Sequence, residues 1–155
     1  WQKSHAPDVM EIKWLSEGAA ATLESIYVQE HYSYDYFSSA QEPNLSNQVI
    51  QTPSLYESYD ASGGDLDVNY SGSVFLTLVL AKELKNKGLT ETQAFRKILK
   101  DFYLLKPDSK NWKNNFEEIF LISTDSFYEA VREYEVSYKN LLPSPDLKLT
   151  EIFSN

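Results

Sequence analysis

Apolar side chains recur at steps of three and four along most of the chain, and the polar residues between them mark where each helix starts and stops. Ile12, Leu15, Ala19, Leu23 and Ile26 fall on one stripe of a helix predicted over residues 9–31. Asp8 followed by Glu11 has the form of a capping box and places the helix start just after Pro7. Gly18 inside the helix costs about 1 kcal/mol relative to alanine. A small residue there is expected where another element approaches the backbone. Residues 69–86 hold the most apolar stretch, Val74 to Ala81, and read as a buried helix stopped by Gly88. Thr90 with Gln93 is a second capping box, opening a helix over residues 91–105 with Ala94, Ile98, Leu99 and Phe102 inward and Pro107 beyond its end. Trp112, Phe116, Ile119 and Phe120 give a short helix over residues 111–122. Ser123 or Thr124 caps a last long helix over residues 125–140, which Pro143 and Pro145 close, and a short tail runs to Asn155.

No segment keeps the two-residue period of a strand, and no internal repeat stands out. The pattern predicts an all-α helical bundle, one domain or subdomain over residues 1–155. Its one departure is a long irregular segment over residues 32–67, where Pro43, Pro53, Gly63 and Gly64 lie among Ser, Asn and Asp residues. A segment of that length inside a compact unit usually carries function. It has room for a short helix over residues 45–51.

Composition sharpens this picture. With 155 residues and 42% apolar side chains the chain is long and apolar enough to build its own core. The 11 tyrosines and 8 phenylalanines suit a wet cleft or a broad amphipathic interface. A net charge of -9, without a Lys/Arg cluster, argues against nucleic acid and against an anionic membrane surface as partners. No run of apolar residues reaches the roughly 18 needed to span a bilayer. The absence of cysteine removes disulfides, thiolate metal sites and thiol catalysis. There is no signal-peptide pattern. The chain opens on Trp1, which suggests that a natural N-terminal part precedes it.

Candidate chemistry concentrates in two places. In Trp14-Leu15-Ser16-Glu17-Gly18-Ala19-Ala20-Ala21-Thr22-Leu23-Glu24, helical spacing puts Glu17, Ala20, Ala21 and Glu24 on one face. A carboxylate among small residues can approach a metal without crowding, although a solvated surface glutamate is the plainer alternative. The second place is Val68-Asn69-Tyr70-Ser71-Gly72-Ser73-Val74-Phe75-Leu76, where Tyr70 is a candidate hydroxyl donor or simply a cap or core tyrosine. Asp60, Asp65 and Asp67 around Gly63-Gly64 could face a calcium ion, but their spacing is not that of an EF-hand, and a solvated acidic turn is the alternative. The only histidines, His5 and His31, are too far apart to form a local ligand pair. His31 sits near a helix C-terminus, where the dipole favours it.

The first segment resembles the W-L-x-E-G-x-A stretch of the gluzincins, the HExxH zinc peptidases of the aminopeptidase N and thermolysin-like clan. In them the glutamate is the third zinc ligand, a role that maps here onto Glu17. The second segment resembles the tyrosine-glycine segment of the aminopeptidase N-like branch, where a tyrosine hydroxyl stabilises the oxyanion of the tetrahedral intermediate. That role maps onto Tyr70. Here one residue separates Tyr70 from Gly72, where that branch generally has two.

The resemblance implies the helical C-terminal part of a zinc metallopeptidase, with Zn2+ as the cofactor of the full-length protein and a peptide or protein as substrate. HExxH would supply two histidines and the general base, and none occurs here, so that half lies upstream of Trp1 and is itself a partner of this chain. The chain alone is expected to bind no zinc and to be inactive. The alternative is a non-catalytic helical module that binds peptide or protein on a peptidase-like scaffold. No residue pattern fixes the compartment. The resemblance favours export, periplasmic or extracellular, over the cytoplasm.

Overall fold

The computed structural model describes residues 12–59 and 66–154. Helix α1, Lys13–Tyr32, crosses helix α3, Leu66–Asn86, and the two form the centre of the molecule. Every residue from Ser71 to Ala81 of α3 is buried, as expected of a helix that is apolar or small on all sides. From α1, Trp14, Leu15, Gly18, Ala19, Thr22, Ser25 and Ile26 face inward. Between α1 and α3 run a π turn Phe37–Gln41, a tight turn Glu42–Asn44, the single-turn helix α2, Gln48–Gln51, and a second tight turn Pro53–Glu57. After α3 come α4, Glu91–Arg96, a π turn Lys97–Asp101 and α5, Phe102–Leu104, which run on from one another. Helices α6, Trp112–Phe120, α7, Thr124–Val131, and α8, Leu149–Phe153, complete the chain. No strand occurs among the described residues, so the fold is all-α.

The closest approach in the core is at Gly18. A Cβ on that residue would collide with the Ser73 carbonyl and the Thr77 hydroxyl of α3. The expectation of a small residue there is therefore met by a helix crossing at backbone distance. On one side of this pair Trp14 stacks on Phe127 with ring centroids 5.5 Å apart and meets Phe116 edge-on at 6.2 Å. Phe116 in turn meets Phe120 at 4.7 Å, and Phe120 stacks on Phe102 at 5.6 Å. These rings join α1, α5, α6 and α7 into one apolar body.

Several helix ends are as the sequence predicts. The Thr90 hydroxyl accepts from the Gln93 amide at 3.2 Å, and the Gln93 side chain accepts from the Thr90 amide at 2.9 Å, the reciprocal pair of a capping box. Ser123 caps α7 by accepting from the Ser126 amide. Gly88, at φ 98°, ends α3 with its amide on Lys85 O and the Leu89 amide on Leu84 O, a Schellman closure.

Other elements differ from the sequence reading. Helix α1 starts at Lys13, after an Ile12 whose φ of -126° and ψ of 62° are not helical. A cap at Asp8 therefore cannot belong to this helix, and Asp8, Glu11 and His5 lie outside the described residues. The last long helix does not exist as one piece. It stops at Val131, and the following segment folds back so that the Tyr138 amide and the Ser137 hydroxyl both donate to Glu42 Oε1 at 2.8 Å. The Tyr138 hydroxyl donates to Ser71 O at 2.6 Å. Burying Tyr138 against α3 outweighs continuing a solvent-facing helix. The tail is also structured: α8 docks on α4, where the Arg96 guanidinium donates to the carbonyls of Ile152 and Glu151 at 3.0 and 2.5 Å. Over its described residues 33–59, the irregular segment is mostly single turns, with its short helix at Gln48–Gln51.

Candidate functional site

Glu17 stands one residue before the Gly18 crossing, so the contact that fixes α1 on α3 also fixes where this carboxylate emerges. It faces a cleft of about 390 Å³ together with Ala20, Ala21 and Glu24 of α1, the face that helical spacing predicts. Tyr70, Ser71 and Asp67 of α3 form the floor, and Tyr36, Ala40, Gln41 and Asn44 form the opposite wall. The structure thus brings Glu17 and Tyr70 into one cleft from two separate segments. Tyr70 lies inside α3 and not at its opening, since the helix begins at Leu66.

The wall is held from behind. The Ser71 hydroxyl donates to Gln41 O at 2.5 Å, which ties the π turn to α3. Glu42, which opens the next turn, ties this wall to the returning C-terminal segment at Ser137 and Tyr138. Sequence reasoning did not single out Tyr36, Gln41 or Asn44. Their common signal is membership of the turn-rich segment, whose length already pointed to function.

Half-buried and beside the cleft, Glu17 makes no hydrogen bond or ion pair with any described residue. Its charge is felt by the phenols around it. Partial desolvation, followed by the Glu17 charge, raises the Tyr70 phenol above its ordinary value. Tyr59, from the irregular segment, is pushed up further, first by burial and also by Glu17, Tyr70 and Tyr56. The Ser73 hydroxyl spends its proton on Asn69 O at 2.7 Å, so the Tyr59 hydroxyl is the donor in its 3.2 Å bond to Ser73 Oγ. Tyr59 is therefore committed to α3, while Tyr70 makes no such bond among the described residues. Next to them the Tyr56 ring lies over Gly72, where any Cβ would strike it, and its buried hydroxyl has no partner among the described residues.

A second network reaches the site from behind Trp14. The Trp14 indole N–H donates to the Tyr128 hydroxyl at 3.0 Å, and that hydroxyl donates to Glu57 Oε1 at 2.9 Å. Lys113 pairs with the same Glu57 oxygen at 3.4 Å. This chain joins α1, α7 and the end of the irregular segment, and so helps to hold Tyr56 and Tyr59 beside α3.

Taken alone, the described residues do not make up a zinc site, since Glu17 is one carboxylate. Glu17 offers an oxygen that no described residue occupies, and Ala20 and Ala21 leave room beside it. No imidazole is near among the described residues: His31 is about 21 Å farther along the helix axis at 1.5 Å per residue, its ring tilted against Tyr27. Among the described residues no group of three His, Asp or Glu side chains could hold a metal. Of the three aspartates considered for calcium, Asp60 and Asp65 lie outside the described residues, and Asp67 is exposed at the cleft. No helix among the described residues is long and apolar enough to cross a membrane. Neither protein-family models nor curated proteins nor solved structures give a match to this chain.

Proposed function

We propose that this chain is the helical C-terminal part of a zinc-dependent peptidase, in which Glu17 is one metal ligand and Tyr70 an oxyanion donor. The observation that carries the reading is the meeting of these two residues, chosen from separate motifs, across one cleft with Glu17 unpartnered among the described residues. A bound zinc would supply Lewis-acid polarisation and an activated water. The HExxH half would supply the other two ligands and the general base, and this chain would contribute two groups. Glu17 offers a fixed anionic oxygen. Tyr70 is a phenol raised above its ordinary value by partial desolvation and the Glu17 charge, and can donate to negative charge developing on a peptide carbonyl oxygen. The walls formed by Tyr36 and Asn44 bound the space in which a peptide would lie.

The test uses the native-length protein. Glu17→Gln should lose bound zinc while keeping its helical content. Tyr70→Phe should keep the zinc and lose roughly 10²–10³ in kcat, the usual effect of removing one oxyanion donor. Unchanged zinc content in the Glu17→Gln protein would sink the proposal. The 155-residue chain alone should hydrolyse no peptide.

A second reading is supported by the lining of the cleft, where Tyr36, Gln41, Asn44 and Tyr70 offer aromatic and amide groups to a peptide. In that reading the tyrosine-rich cleft binds peptide without cleaving it. Retained peptide affinity with no metal dependence in any form of the protein would support it.

A further inference from the structure

Past the cleft, the same outer face of α1 stays open to solvent. Along the outer row of α1, Glu17, Ala21 and Glu24 line the enclosed part. One turn beyond Glu24 the same row carries Tyr27 and His31, with ring centroids 4.3 Å apart. Tyr32 meets Tyr27 edge-on at 6.3 Å. These rings are open to solvent: Tyr27 is 46% and Tyr32 70% exposed. From Glu17 to Tyr27 the helix advances about 15 Å at 1.5 Å per residue. An extended chain covers that length in four to five residues at about 3.3 Å each.

Charge selects the occupant. Glu17, Glu24 and Asp67 line the enclosed part of the path, and no lysine or arginine is among the described residues that do. Lys13 lies one turn before Glu17, so the anionic stretch begins at the carboxylate. A second copy of this chain, at net charge -9, would be repelled, as would a nucleic acid or an anionic bilayer. The faces of Tyr27 and Tyr32 are suited to a guanidinium or ammonium, which is drawn to the negative face of an aromatic ring.

We infer that the groove along α1, from Glu17 to the Tyr27–His31–Tyr32 rings, holds an extended basic peptide, with a Lys or Arg side chain on the rings. This rests on the reading of the cleft as a peptide site and extends it to substrate class: polypeptides of about five residues or more, cationic in the part that crosses Glu24.

The test is binding of fluorescent peptides of about six residues to the 155-residue chain, in chelator, by fluorescence anisotropy. An Arg-containing peptide should bind at least about tenfold tighter than its Glu-substituted counterpart, and the difference should shrink in high salt. Tyr27→Ala should weaken the basic peptide about two- to fivefold. Both Tyr27 and Glu24 are exposed, so Tyr27→Ala and Glu24→Gln should leave the fold intact. Glu24→Gln should weaken it about twofold. Equal affinity for basic and acidic peptides, or no effect of either substitution, overturns the inference. So does sedimentation showing a dimer that Tyr27→Ala dissociates. Chelator removes any metal from the measurement, so this result is independent of whether Glu17→Gln loses zinc. The groove and the peptidase reading can therefore fail separately.

Discussion

Gly18 decides more than its own conformation. It lets the Ser73 carbonyl and the Thr77 hydroxyl of α3 come to within collision distance of where a Cβ would be. That approach fixes the part of α1 from which Glu17 lines the cleft. Gly18→Ala would gain about 1 kcal/mol of helix propensity. It would also force two buried helices apart, and overpacking of that kind costs about 1–3 kcal/mol. The expected outcome is a net loss of stability, read as a lower urea midpoint, together with weaker peptide binding in the cleft. A midpoint that rises would mean that the crossing has slack. The glycine itself is plain in the sequence, as is its motif. What the sequence could not reveal is which residues lie opposite it, because Ser73 and Thr77 are small polar residues with no local signature of an interface.

At the scale of elements, local signals were reliable where they were chemical and short in range. The Thr90–Gln93 box and the Ser123 cap formed as read because each satisfies backbone donors within its own turn. Thr90→Ala should lower stability by about 1 kcal/mol, measured by thermal or urea unfolding. An unchanged midpoint would mean that water replaces the cap fully. Local signals failed where a distant group competed. The 125–140 pattern reads as helical, yet its second half leaves the helix because Glu42 and Ser71 O take the donors of Ser137 and Tyr138. The tail beyond Pro145 has a weak pattern, and α8 is held there by Arg96 of α4.

For the whole molecule, buried phenols make stability sensitive to alkali. Burial, with Glu57 beside Tyr128 and Glu42 beside Tyr138, holds Tyr103, Tyr128 and Tyr138 above the ordinary tyrosine value. The unfolded chain releases these protons from about pH 10 upward while the folded chain keeps them. The folded state therefore binds more protons, and its stability falls as pH rises. Their contribution is fully present below about pH 10. Above that, each can remove up to about 1.4 kcal/mol per pH unit. Urea midpoints should stay flat through neutral pH and drop steeply above about pH 10, together with the rise of tyrosinate absorbance. A flat midpoint in that range would show that the three phenols are solvated in the native state.

Helix content, the buried α3, two caps and the Glu17 face were all determined by the sequence, because each depends on residues within a few turns of one another. The resemblance of the Glu17 and Tyr70 segments was likewise visible there, as an expectation about chemistry. Only the tertiary structure decided that the two residues share a cleft, that Tyr59 is committed to Ser73, and that the turn-rich segment forms a wall in place of a free loop. Those outcomes depend on long-range contacts: the backbone-distance crossing at Gly18, the Trp14–Tyr128–Glu57 chain and the return of Tyr138 to Ser71. Each joins residues far apart along the chain, and each is made of common side chains that become specific only when the helices carrying them pack together.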